Sequence, residues 1–220
     1  MWEALKRMTK GKSSGPSKVT CGMFSNDVCV RELCEVANGL LMGESMPESK
    51  KRSMVVPLYK DKGNVLECGN YHTIKLLEHG MKVVEHVFEK RLRKMVEMGE
   101  EQCGFVVGKG TVDAIFMLRQ LQEKYLENDN ELYLVFVDLE KAFDRVPRVL
   151  IESSLRRKGV VECYMKALMK MYQEVLSQIK MESEDSKEFA VSVGIHQSMV
   201  SSFTVHLCCS YECGDRGGGK

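Results

Sequence analysis

The sequence predicts an α+β fold, and three observations carry that prediction. The first is an unbroken apolar run, Leu132 to Val137 (L-Y-L-V-F-V), rich in β-branched and aromatic types and read as a strand buried on both faces. The second is a pair of segments with helical apolar spacing. His79 to Met98 carries Val83, Val84, Val87, Phe88, Leu92, Met95 and Val96, and the segment opened by Thr111 carries Ile115, Leu118, Leu121 and Tyr125. The third is Ser177 to Ile195, read as a hairpin around the polar turn Glu182 to Lys187, with Phe189, Val191 and Val193 alternating on its second strand.

In chain order, Trp2, Leu5 and Met8 predict a short first helix, broken by the glycine, proline and serine of Gly11 to Ser17 (G-K-S-S-G-P-S). That stretch is no phosphate loop, because no Gly-rich spacing leads into the Gly-Lys-Ser and no strand precedes it. Phe24 to Leu41 predicts a second helix, stopped at Gly43. Ser53 to Lys60 reads as a strand that Pro57 restricts to an edge or a bend. Asp61 to Tyr71 is a loop, and Ile74 to Leu77 is brief and apolar. Gln102 to Thr111 holds three glycines and is a loop with tight backbone demands. Thr111 is placed as the N-cap of the next helix, with Asp113 in its first turn. Pro147 opens a helix that Gly159 stops, and Tyr164 to Leu176 predicts one more.

At 220 residues and 25.0 kDa, with 44% hydrophobic and 29% charged content, the chain can bury a real core as one large domain or two small ones. Lys and Arg total 32 against 31 Asp and Glu, so overall charge points to no polyanion. The distribution is less even: eleven basic residues stand against five acids between Lys50 and Lys94. Such a stretch suits phosphates, and a solvated helix face accounts for it equally well. Nine scattered cysteines with no signal peptide predict a reducing, intracellular setting, cytoplasm or nucleus, and no apolar run approaches the length of a membrane span. Cys208, Cys209 and Cys213 stand near His206, at a spacing that matches no common zinc site.

The run from Leu132 ends abruptly in Asp138, followed by Glu140, Phe143 and Asp144 before Pro147. A carboxylate ending a buried strand is costly unless something pairs with it, most simply a metal ion. An Asp that merely caps the next turn is the plainer reading, and the stretch alone leaves both open.

Five blocks in order resemble the reverse transcriptase of a non-LTR retrotransposon, most closely the RTE-like group. They are Gly11 to Ser17, Val55 to Leu77 (V-V-P-L-Y-K-D-K-G-N-V-L-E-C-G-N-Y-H-T-I-K-L-L), Gln102 to Phe116, Leu134 to Pro147, and Gly194 to Phe203. The resemblance covers about nine-tenths of the chain and implies the fingers and partial palm of a right-hand polymerase. Its parts are a helical extension over 1–50, fingers over 51–130, partial palm over 131–203 and a divergent tail over 204–220. It implies that Asp138 is the first catalytic aspartate and a Mg²⁺ ligand, with the Leu139 carbonyl added to the metal site. Two such ions would stabilise the attacking 3′-hydroxyl and the leaving pyrophosphate. Phe143 matches the aromatic gate that crowds a ribose 2′-hydroxyl, Gln197 a palm residue near the incoming nucleotide, and Lys109 a position usually held by Arg. Lys51, Arg52 and Lys60 are the expected nucleic-acid contacts. The implied partners are an RNA template, a DNA primer and deoxynucleotides.

Departures from the family pattern weigh against activity. Asn70-Tyr71-His72 stands where the family has Asn-Tyr-Arg, and His cannot make the bidentate guanidinium contact expected at the triphosphate. His196-Gln197-Ser198-Met199 replaces a His-Gln-Gly-Ser. Nothing from Thr204 to Lys220 resembles the aromatic-Ala-Asp-Asp block that supplies the other catalytic carboxylates. The expectation is a polymerase fragment inactive as given, with a non-catalytic RNA- or DNA-binding remnant as the alternative. A phosphohydrolase using Asp138 as nucleophile would want a second acid two residues on and a distant Lys and Asp; position 140 is Glu.

Overall fold

A computed structural model describes residues 1–9, 11–100, 102–104, 106, 108–139, 141–181 and 184–195. The helices are α1 (Trp2–Arg7), α2 (Asp27–Met42), α3 (His79–Met95), α4 (Thr111–Glu127), the single turn α5 (Ala142–Arg145), α6 (Arg148–Arg157) and α7 (Glu162–Met171). The strands are β1 (Arg52–Tyr59), β2 (Tyr71–Leu77), β3 (Leu176–Ile179) and β4 (Phe189–Ala190). Helices and sheet are both present, as the α+β prediction requires.

The core is helical and centred on α3. Val83, Val84, Phe88 and Leu92 of its apolar stripe are at most 1% exposed. They share one core with Leu33, Ala37 and Leu40 of α2, Ile151 and Leu155 of α6, and Met165, Leu168 and Met171 of α7. The Gly11 to Ser17 block is fastened to the start of this helix. Ser17 donates its backbone N–H to Glu78 Oε1 at 2.8 Å and its hydroxyl to the other oxygen of the same buried carboxylate. Gly15 lies so close beneath that a Cβ there would come within 2.8 Å of the Glu78 backbone nitrogen, which only glycine avoids.

The four strands form one sheet in the order β2-β1-β3-β4. β1 pairs antiparallel with β2 along its whole length, from Ser53 opposite Leu77 to Tyr59 opposite Tyr71. It pairs in parallel with β3 only from Arg52 to Val55. Pro57 therefore sits in the half of β1 that β3 does not reach. That half is an edge, where a residue lacking an N–H breaks no ladder. The hairpin predicted over Ser177 to Ile195 is present, though its second strand is reduced to Phe189–Ala190. β1 of the expected fingers and β3 of the expected palm share this sheet.

Three expectations need correction. Leu132 to Val137 is not a strand: residues 131–139 have no regular structure, and Tyr133, Val135, Phe136 and Val137 are 79–86% exposed. A strand exists only through its ladder, and the four strands of the described sheet pair with one another and not with this run. The apolar stripe of α4 is likewise uncovered, with no residue of that helix buried. Its start is as expected to within one residue: Gly110 rather than Thr111 is the N-cap, and Asp113 Oδ2 accepts the Gly110 N–H at 2.6 Å. Finally, α7 ends at Met171 rather than running on to Leu176, because Glu174 adopts a positive φ of 52° and the chain turns into β3.

Candidate nucleotide-binding cleft

Two sequence-distant blocks meet beside the sheet. After residue 139 the chain makes the α5 turn and enters α6 behind Pro147. Across from it, Ile195 donates its N–H to the Phe143 carbonyl at 2.9 Å, and Gly194 donates to the Val146 carbonyl at 3.2 Å. Gly194 has φ +79°, and a Cβ there would stand 2.6 Å from the Asp144 carbonyl oxygen, so contact this close with a left-handed backbone demands glycine. Arg148 locks the joint. Its guanidinium donates to the carbonyls of Gly194 (3.1 Å), Val191 (2.7 Å) and Tyr172, and it stacks over the Tyr172 ring at 5.8 Å. Burial pulls this arginine below its ordinary pKa, and the three carbonyl dipoles take up its charge.

Between this joint and the sheet lies a cleft of about 280 Å³, with Val55, Thr73 and Lys75 on one wall and Asp144, Gly194 and Ile195 on the other. Lys75 is half-buried. Burial lowers its pKa to about 8, Arg148 pushes in the same direction, and Asp144 opposes. Sequence reasoning named neither Arg148 nor Lys75 as a site residue. The available signal for Lys75 was a lysine interrupting the apolar Ile74 to Leu77.

The expected site residues fall in different places. Phe143 is half-buried, packs on the helical core and forms part of the joint. Gln197, which follows the joint by two residues, lies outside the described residues, as do His196 and Glu140. Asp138 and Leu139 are exposed at the end of the irregular 131–139 stretch. His72 is exposed on β2, on the face opposite Thr73 and Lys75 by strand alternation. Lys109 is exposed and donates to the Glu100 carbonyl. Arg52 pairs with Glu188 at 3.1 Å. Lys60, roughly 25 Å away along β1, donates to the Gly69 carbonyl at 2.9 Å.

Lys51 is the exception among the cations. It is 6% exposed and held by Glu174 at 2.6 Å and Glu48 at 2.8 Å, with hydrogen bonds to those carboxylates raising its pKa. Its charge is paired within the chain, as that of Arg52 is with Glu188.

The matching of sequence blocks to a family agrees with this joint. The family model for reverse transcriptase (RNA-dependent DNA polymerase) matches residues 51–209, which contain both halves of the joint. The chain belongs to the reverse transcriptase family. The uncharacterized 149 kDa protein of transposon TX1 from Xenopus laevis is 24% identical over 199 residues, 89% of this chain and 15% of that protein. The probable RNA-directed DNA polymerase from transposon BS of Drosophila melanogaster is 26% identical over 151 residues, 66% of this chain and 17% of that protein. The chain thus spans about a sixth of the length of these relatives.

Reverse transcriptases as a family require a divalent metal, but the described residues of this chain do not fit one. No group of three His, Cys, Asp or Glu side chains among them is placed to hold a metal ion. Asp144 lines the cleft with Lys75. One exposed Asp138 does not supply the hard oxygen cage that Mg²⁺ needs. Among the described residues no helix is long and apolar enough to cross a membrane.

Proposed function

We propose that this chain supplies the fingers and the first part of the palm of a retrotransposon reverse transcriptase, and that as given it binds template and primer without extending them. The observation that carries this reading is the joint itself. It presses the Phe143 block against the Gly194 block, the two stretches in which the family keeps its nucleotide-facing residues. On this reading residues 51–130 are fingers and 131–203 partial palm, flanked by a helical extension and a divergent tail. Phe143 and Gln197 face an incoming deoxynucleotide, with Lys109 and His72 as its further contacts. Arg52 and Lys60 meet the phosphates of an RNA template and DNA primer, in the cytoplasm or nucleus.

Polymerisation through two metals needs carboxylates from separate parts of the palm. Asp138, with the Leu139 carbonyl, is the family-matched Mg²⁺ ligand here, and the sequence after Phe203 offers no acid before Glu212 and no aromatic-Ala-Asp-Asp block. The test is primer extension on an RNA template with the purified chain, Mg²⁺ or Mn²⁺ and deoxynucleotides. No extension is expected, while a filter or fluorescence assay detects primer–template binding that falls steeply with salt. Extension that vanishes in Asp138→Asn would overturn the inactive reading. Salt-insensitive or absent binding would remove the nucleic-acid role.

A further inference from the structure

A basic groove stands apart from the cleft beside the sheet. α1 packs on α3, and between them lies a groove of about 240 Å³. Glu3 and Arg7 line it from α1, and His86, Lys90, Arg91 and Lys94 from α3. None of these residues lines the cleft at the joint, and none is a cation expected to meet template or nucleotide. Four permanent cations stand against one carboxylate. His86, Lys90 and Lys94 recur at one-turn intervals, about 6 Å apart along the α3 axis, with Arg91 beside the row. That step is close to the separation of neighbouring phosphates in an extended nucleic-acid strand. A helix C-terminus favours cations, which alone would account for Lys94. It does not account for Arg7 being brought to the same groove by another helix.

Two of the four cations are engaged. Lys90 is paired with Glu3, and Arg91 donates to the Tyr164 hydroxyl at 3.0 Å with its guanidinium 6.0 Å over that ring. Arg7 and Lys94 are exposed and make no hydrogen bond or ion pair among the described residues. Glu3 is the groove's own anion: the hydrogen bond and charge of Lys90, and then the charge of Arg7, lower its pKa. Glu3 and Lys90 are both exposed, so water screens their pair and an arriving phosphate displaces it at little cost.

We propose that the groove between α1 and α3 binds the phosphate backbone of a single nucleic-acid strand, at a site separate from the cleft beside the sheet. The choice of a nucleic-acid strand over an acidic peptide rests on the polymerase-fragment reading, whereas the anion site rests on the groove alone. Arg7 and Lys94 take the phosphates, Arg7 through its planar fork, and Lys90 joins them once Glu3 is displaced. Glu3 therefore opposes binding. No aromatic residue lines the groove, so nothing in it stacks a base. Affinity then comes from phosphates, falls steeply with salt and is indifferent to sequence. The volume seats one strand's backbone rather than a duplex.

The experiment titrates the full chain into fluorescent single strands of about 12 nucleotides, oligo-U RNA and oligo-dT DNA, and follows anisotropy across a salt series. It compares the parent with the double variant Arg7→Gln, Lys94→Gln and with Glu3→Gln, circular dichroism confirming that each is folded. Both strands are expected to bind the parent. The double variant should bind about tenfold more weakly, with a log–log salt slope shallower by about 1.4 for two lost phosphate contacts. Glu3→Gln should bind about threefold more tightly, an opposite sign that a merely structural loss would not produce. No binding to the parent, an unchanged salt slope in the double variant, or weaker binding in Glu3→Gln overturns the site. Binding of one strand type alone overturns recognition through phosphates, and equal competition by a polyglutamate of the same charge overturns the nucleic-acid assignment. The polymerase-fragment reading is judged apart from these, by primer–template binding in the double variant, which that reading expects to persist.

Discussion

Two helices of equal length, α3 and α4, make the instructive contrast. Each has 17 residues with apolar side chains at helical spacing. On α3, Val83, Val84, Phe88 and Leu92 are sealed, and the helix packs against α1, α2 and α7. On α4, Ile115, Leu118, Leu121 and Tyr125 remain 37–47% exposed, and the apolar run at 132–137 that follows is more exposed still. Periodicity specifies an amphipathic element, whereas burial needs a second surface of matching shape. α3 finds three, and α4 finds none in the described residues. Helical packing therefore joins the elements that precede α4 to those that follow Pro147, while the stretch leading to Asp138 is held only from Phe143 onward.

The largest expected effect lies at the centre of the buried region. Leu92→Ala empties a fully enclosed core site and should destabilise the chain by about 2–5 kcal/mol in denaturant titration. A loss below roughly 1 kcal/mol would mean that α3 is no better packed than α4, and the contrast would collapse.

Next is the joint that marks the border between the two regions. Gly194→Ala places a methyl 2.6 Å from the Asp144 carbonyl at φ +79°, so the backbone itself must shift. A cost of about 2–3 kcal/mol is expected, together with faster amide exchange at Ile195, whose N–H is bonded to Phe143. Full protection of Ile195 in the variant would show that Arg148 alone holds the joint.

The helices and strands built from local pattern were legible in the sequence. The Val83 to Leu92 stripe and the Pro57 half-edge stand as read, and the hairpin near Ser177 is present with a second strand of only Phe189–Ala190. What failed was non-local. A run such as Leu132 to Val137 states that it needs cover without stating what covers it, and Asp138 lost its expected setting with that strand. The site was legible only through family likeness: Phe143 and Gly194 are 51 residues apart, and no spacing rule joins them. Arg148 and Lys75 escaped notice because an isolated basic residue in sequence looks the same whether it caps three carbonyls, lines a cleft or lies in water.

A smaller effect, with a sign fixed by pH, is expected at the cleft. Lys75 has its pKa lowered by burial from 10.5 to about 8, so the unfolded chain holds a proton that the folded chain has shed between those values. Stability of the parent therefore rises with pH across that window, and below about pH 8 the penalty of burying the ammonium is fully present. Lys75→Met removes the penalty. The variant should exceed the parent by roughly 1–2 kcal/mol at about pH 7, discounted for partial exposure, and the advantage should fade towards pH 10.5. An advantage independent of pH would trace the gain to packing rather than charge.

The smallest effect is expected on α4 and completes the contrast. Leu121 occupies the same kind of stripe position as Leu92, yet it is 40% exposed against 0%. Truncating a residue that water already reaches leaves little cavity, and the remaining terms are helix propensity and a partial loss of contact. Leu121→Ser should change the stability of this chain by no more than about 0.5 kcal/mol, against several for Leu92→Ala. The same pair read by amide exchange should separate further, with α4 amides exchanging through local opening and α3 amides only through global unfolding. If Leu121→Ser instead costs as much as a core truncation, the helix is covered in solution by a surface of its own, and the exposed run from Leu132 to Val137 is the first place to look for it.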